Sequence, residues 1–126
     1  MPKRISTASA KGKGRRLQQL VRDKLLSLSD SFREGDIESI GMGQLGEDLV
    51  LSPHARDMLP VSIECKARAK LQVYSFVEQC KSNCPDGCQP IVVVKGDYKK
   101  PLAVIDLDYW VYLEDIRLKY ERHYDD

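Results

Sequence analysis

Residues 61–68 read V-S-I-E-C-K-A-R. The alternation predicts a β-strand, whose side chains point by turns to opposite faces. Val61, Ile63, Cys65 and Ala67 make an apolar face, and Ser62, Glu64 and Lys66 project together from the other. A carboxylate beside an ammonium on one strand face fits two arrangements. One is an ion pair on a solvated sheet face, and the other is a site in which both groups act on one ligand. E-x-K alone does not separate them, so the flanking chain has to.

Downstream, Leu71–Asn83 predicts a helix with Val73, Phe76, Val77 and Cys80 as its apolar stripe. C-P-D-G-C is a turn, and Ile91–Lys95 is a continuous apolar run suited to a buried strand. G-D-Y-K-K-P turns the chain into a further strand, Leu102–Leu107, and Asp108 is placed to N-cap a final helix carrying Trp110, Leu113 and Tyr120.

Upstream, Gly12 and Gly14 lead into R-R-L-Q-Q-L-V-R-D-K-L-L-S-L-S, where Leu17, Leu20, Val21, Lys24, Leu25 and Leu28 fall at helical spacing. Arginines at the start of that helix oppose its dipole, a cost that an external anion would relieve. Asp36–Ile40 is a short alternating strand. G-M-G-Q-L-G, residues 41–46, matches G-x-G-x-x-G in form but runs into the strand-like E-D-L-V-L, whereas the dinucleotide fingerprint opens a helix. Gly41–Gly46 is therefore read as a flexible connection between two strands. In the second, Asp48 and Val50 share one face, with Glu47, Leu49 and Leu51 on the other. P-H-A-R-D-M-L-P is a loop or short helical turn. The order α-β-β-β-α-β-β-α predicts an α/β fold, a mixed sheet flanked by helices.

The 126 residues suit one domain, with 42% hydrophobic and 31% charged residues. Residues 1–11 are expected to form a flexible basic arm and residues 12–126 a single domain. No apolar run approaches the roughly 20 residues of a membrane span, and the basic N-terminus lacks the apolar stretch of a secretory signal. The net charge of +1 hides an asymmetry: residues 1–22 hold seven Lys/Arg and no acid, and the rest carries 13 basic against 19 acidic residues, a net of −6. Such a concentrated basic segment suits a polyanion partner, whose counterions are released on binding; a solubilising tail has the same composition. Cys80, Cys84 and Cys88 are spaced C-x3-C-x3-C, a poor match to the two-residue knuckles and four ligands of structural zinc, and with Cys65 they read as reduced thiols.

If the strands carrying Asp48 and Glu64 are neighbours, their carboxylates converge on one hard divalent ion. Mg²⁺ takes oxygen ligands and often only one or two protein carboxylates, the rest being water and substrate phosphate. Lys66, on the same face, would then point at the attacking water or the scissile phosphate and stabilise the charge that develops there.

D48…E64-C65-K66, preceded by K-G-R-R-L-Q-Q-L-V-R, resembles the PD-(D/E)xK nuclease superfamily, above all the small Holliday-junction resolvases of archaea and related phage-encoded nucleases. The likeness runs from about Lys13 to Leu113 through G-R-R-L-Q-Q-L-V-R-D-K-L, M-G-Q-L-G-E-D-L-V-L-S-P, S-I-E-C-K and E-Q-C. It implies a restriction-endonuclease-like mixed sheet, Mg²⁺ (Mn²⁺ substituting) held by Asp48, Glu64 and the Cys65 carbonyl, and a catalytic Lys66. It also implies that Gln79 faces the site and that Ser39 meets DNA. The chain departs from the pattern in two places: Glu47 stands before Asp48, and Gln18 occupies the place where the first helix commonly contributes a glutamate. An amide there can hold a water of the metal shell but brings no charge. Lys11, Lys13, Arg15, Arg16, Arg68 and Lys70 are the candidate phosphate contacts, and solvated surface charges would read the same. His54 and His123 are lone and far from these residues, and Trp110, Tyr109 and Tyr112 suit a core or a dimer contact.

The resemblance implies a homodimeric, cytoplasmic endonuclease (in the host cytoplasm if phage-encoded) resolving junctions by two symmetric cuts, one per protomer, with in-line attack of water leaving a 5′-phosphate. Two other readings fit the same residues: a nicking, flap or repair endonuclease on duplex DNA, and a non-catalytic DNA-binding module that retained the fold.

Overall fold

The structure, a computed structural model, describes residues 7–40, 46–68 and 72–125. Helix α1 (Thr7–Leu26) leads through a 3-10 turn (Glu34–Asp36) to β1 (Ile37–Ser39) and β2 (Leu49–Leu51). Then come α2 (Pro53–Met58), β3 (Val61–Ala67), α3 (Val73–Ser82), β4 (Gln89–Lys95), β5 (Leu102–Val104) and α4 (Leu107–Asp125). The fold is mixed α/β with two small sheets. Strands β1 and β2 pair antiparallel, while β3 runs parallel to β4 and β4 antiparallel to β5. The single mixed sheet expected from the sequence is thus divided. The β1–β2 pair lies beside β3, but what meets the β3 backbone there is the side chain of Asp48 rather than a ladder.

The period of two in β3 sorts the core. Val61, Ile63 and Cys65 pack with Val93 of β4, Leu17 of α1, and Ile37, Leu49 and Leu51 of the hairpin. On the opposite face Val92 and Val94 pack with Phe76 and Cys80 of α3. A parallel pair joined through a helix is covered on both faces. The face bearing Glu64 is accordingly not solvated: Ser62 is 1% exposed and Glu64 3%. That removes the surface ion pair as an account of E-x-K.

Helix α1 begins at Thr7, so the boundary expected between residues 11 and 12 falls inside a helix. Ala8, Ala10 and Lys11 are strong helix formers and carry the helix through Gly12. Gly14 is buried, in line with the buried Leu17 and Gln18. Arg15 and Arg16 consequently lie well inside the helix, and the dipole argument fails for them because the effect fades within the first turn. Leu20 and Leu28, expected on the apolar stripe, are 39% and 64% exposed; the buried stripe is turned toward Gln18, which is 2% exposed.

The segment after β2 is helical because Ser52 caps it, its hydroxyl accepting from the Ala55 amide at 3.1 Å, and Pro53 takes the first helical position. Strand β5 stops at Val104, short of the expected Leu107, and α4 starts there instead. The carbonyl of Asp106 accepts from the amides of Tyr109 and Trp110, so Asp108 lies in the first turn and is not the cap. Helix α4 buries none of its described side chains; Trp110, Leu113 and Tyr120 are 51%, 39% and 62% exposed. No helix among the described residues is long and apolar enough to cross a membrane.

Candidate active site

The backbone of β3 faces two ways. Its even-numbered positions bond toward β4, as the Arg68 amide to Lys95 and the Pro60 carbonyl to Gln89 show. Odd-numbered positions turn their polar groups to the opposite edge, toward the hairpin. There the Val61 carbonyl accepts from Arg56 Nη1 at 2.9 Å, and the Cys65 amide donates to Asp48 Oδ2 at 2.8 Å. The amide and carbonyl of one strand residue point to the same side, so the Cys65 carbonyl shares the edge on which Asp48 sits.

That bond brings Asp48 to Glu64. The two carboxyl groups lie close to each other. Burial raises the pKa of both above the ordinary carboxylate range, and the negative charge of Asp48 raises Glu64 further. Lys66 Nζ lies 3.1 Å from Glu64 Oε1 and opposes this rise. Lys66 and Arg68 both stand over the Phe76 ring, at 5.5 Å and 5.7 Å from its centroid. The α3 aromatic thus supports the two cations on the polar face of β3.

Asp48 is also held through its neighbour. Arg56 grips Glu47 with both guanidinium nitrogens, at 3.0 Å and 2.7 Å, while bonding the Val61 carbonyl. A fork–fork pair of this kind fixes orientation as well as charge. The partners are distant enough in sequence to leave no local spacing signal, and neither Arg56 nor Phe76 was singled out from the sequence as a site residue.

Gln18 reaches the interior from α1 and accepts from the Ser39 hydroxyl at 2.6 Å. Ser39, expected to meet DNA, therefore directs its hydroxyl inward. Lys13 is committed to Asp97 at 2.7 Å, while Lys11, Arg15, Arg16 and Arg68 are exposed. Gln79 is exposed on α3 between Phe76 and Cys80, along the stretch of helix that passes β3. Lys70 and the connection 41–45 lie outside the described residues, as does the side chain of His123. His54, expected to be lone, contacts Ser31 Oγ at 3.0 Å and the edge of Phe32. Cys80 donates to the carbonyls of Ser62 and Ile91, and burial pushes its thiol up to about 11.

Among the described residues no group of three His, Cys, Asp or Glu side chains is arranged to hold a metal. Two carboxylates and an adjacent carbonyl edge are a donor set that would suit Mg²⁺, which fills the rest of its shell with water and phosphate rather than an all-protein cage. No family model, curated protein or solved structure matches this chain.

Proposed function

We propose that this protein is a Mg²⁺-dependent DNA endonuclease with a restriction-endonuclease-like core, acting on branched DNA as a junction-resolving homodimer. The observation that carries the reading is the convergence of Asp48, Glu64 and Lys66, with Asp48 tied to the Cys65 amide. Buried acids brought together against their mutual repulsion, with a cation beside them, mark a functional-site candidate.

Asp48 and Glu64, with the Cys65 carbonyl, would hold a divalent ion, which would supply positive charge against phosphate and acidify water at the site. Lys66 offsets the negative charge of Glu64 and would stabilise the charge developing on a scissile phosphate. Arg68, beside it on Phe76, and the cations of α1 contribute neutralisation along the strand. The exposed apolar side chains of α4 supply a surface for the second protomer, and two symmetric cuts require two matched sites.

Cleavage of a labelled four-way junction beside a matched duplex, with Mg²⁺ or EDTA, tests this directly. Paired cuts on the junction that need Mg²⁺ are expected, and Asp48→Asn or Glu64→Gln should abolish them while DNA binding persists. Metal-dependent cutting of duplex or flaps alone would favour a nicking or repair enzyme. Binding without any cutting would favour a non-catalytic module, a reading kept open by the neutral, buried Gln18.

A further inference from the structure

A cleft of about 450 Å³ opens between α1 and the turn joining β4 to β5, lined by Lys13, Arg16, Leu17, Leu20, Lys95 and Tyr98, among others. Its floor is apolar and its rim cationic: three cations face a single acid, Asp97, which pairs with Lys13. Lys99 and Lys100 follow on the same turn, both exposed.

The turn itself is unusual. The Lys99 amide donates to the Gly96 carbonyl at 3.2 Å, closing residues 96–99, and Tyr98 is the third residue at φ 59°. That conformation favours glycine or asparagine over an aromatic residue. Tyr98 is the non-glycine residue with positive φ among the described residues, and its side chain is fully exposed, at 103%. An aromatic ring held in solvent at the mouth of a basic cleft, in a backbone conformation that disfavours it, is not explained by packing.

The cleft adjoins the candidate active site. Ala67, in its lining, follows Lys66 in β3 and pairs in register with Lys95. Lys66 turns to the α3 face and Ala67 to the α1 face, so one strand of nucleic acid passing over the end of β3 meets both. The volume is that of a site for a nucleotide-sized group.

Building on the nuclease reading, we propose that this cleft holds the unpaired strand of a branched or flapped nucleic acid, with Tyr98 stacking on a base and Arg16 and Lys95 neutralising its phosphates. Aromatic stacking tolerates any base, and the paired cations give a salt-dependent contribution.

The test uses the full-length protein in EDTA with three probes: a blunt duplex, the same duplex with a single-stranded flap, and the free strand, the last two carrying 2-aminopurine in the unpaired segment. Tyr98→Gly, which relieves the backbone, should weaken flap and free-strand binding by about five- to hundredfold and leave duplex affinity unchanged. Wild-type protein should quench the 2-aminopurine and Tyr98→Gly should not, while Tyr98→Phe retains both properties. Arg16→Gln with Lys95→Gln should lower the slope of log affinity against log salt by about 0.7 for each contact on the single strand. Equal binding of flap and duplex, unaltered by Tyr98→Gly, would overturn this inference alone. Failure of the wild-type protein to bind these probes or a four-way junction, in EDTA or in Ca²⁺, would remove the nuclease reading along with it.

Discussion

Lys66 Nζ stands 3.1 Å from Glu64 Oε1, with only 12% of the lysine side chain and 4% of the glutamate side chain exposed. Breaking a buried pair from one side leaves the other charge uncompensated, at a cost of about 3–5 kcal/mol when it cannot neutralise. Glu64 can neutralise, because its pKa is already raised by burial and by Asp48. Lys66→Ala should therefore lower the melting temperature strongly at pH 8 and much less at pH 5. Turnover should fall by orders of magnitude at a temperature where the variant is folded. Equal melting shifts at the two pH values would show that Glu64 is charged throughout.

The carboxyl pair sets a pH slope of known sign. Asp48 and Glu64 are raised above ordinary values of 3.8 and 4.5, chiefly by burial. A raised carboxyl keeps its proton longer in the folded than in the unfolded chain, so stability falls as pH climbs from those ordinary values through the raised ones. Melts in EDTA should show this decline, and Asp48→Asn or Glu64→Gln should flatten it. Mg²⁺ or Mn²⁺ should raise the melting temperature more at pH 8 than at pH 5, since at low pH the ion competes with protons for the two raised carboxyl groups.

Arg56 should not tolerate lysine. An ammonium group cannot reproduce the two-point grip on Glu47 together with the bond to the Val61 carbonyl. Arg56→Lys is expected to cost about 1–3 kcal/mol in urea unfolding. It should also slow cleavage beyond the loss of folded protein, because Asp48 follows Glu47 directly.

Gln18 divides metal affinity from packing. Gln18→Ala removes the acceptor of the half-buried Ser39 hydroxyl, a loss of about 1 kcal/mol, and should raise the Mg²⁺ requirement. Gln18→Glu should lower that requirement if its charge reaches the ion's water shell. Superimposed Mg²⁺ titrations for the three proteins would place Gln18 outside the site.

Helix α4 exposes Ile116 at 46% and Leu113 at 39%. Ile116→Asp with Leu113→Asp should shift sedimentation from dimer to monomer and uncouple the paired cuts at a junction. A monomeric wild-type protein would set the dimer aside.

Alternation made β3 and its two faces readable, because a strand's period depends on nothing beyond itself. The same alternation set Val50 opposite Leu49 and Leu51, and the two leucines are buried while Val50 is exposed. What escaped was set by contacts distant in sequence. Whether β2 joins the β3 sheet by a ladder or by a carboxylate is decided by how three-residue strands meet. The start of α1 was missed because glycine is a poor helix former on average, whereas Gly14 lies buried inside the helix. Asp108 was misassigned because caps tolerate shifts of a residue or two, and Asp106 offered the same chemistry.

Asp48 and Glu64 also reach one another from segments of unequal cohesion. Glu64 belongs to a strand–helix–strand unit contiguous in sequence, with seven-residue strands. Asp48 is delivered by a hairpin of two three-residue strands, a size that is marginal without support. Such a segment opens more often than the body it rests on, and each opening withdraws one carboxylate while leaving the other in place. The Cys65 amide, shielded by Asp48 rather than by a ladder, should then exchange its hydrogen faster than its buried neighbours on β3. Its exchange rate would serve as a clock for the lifetime of the assembled site.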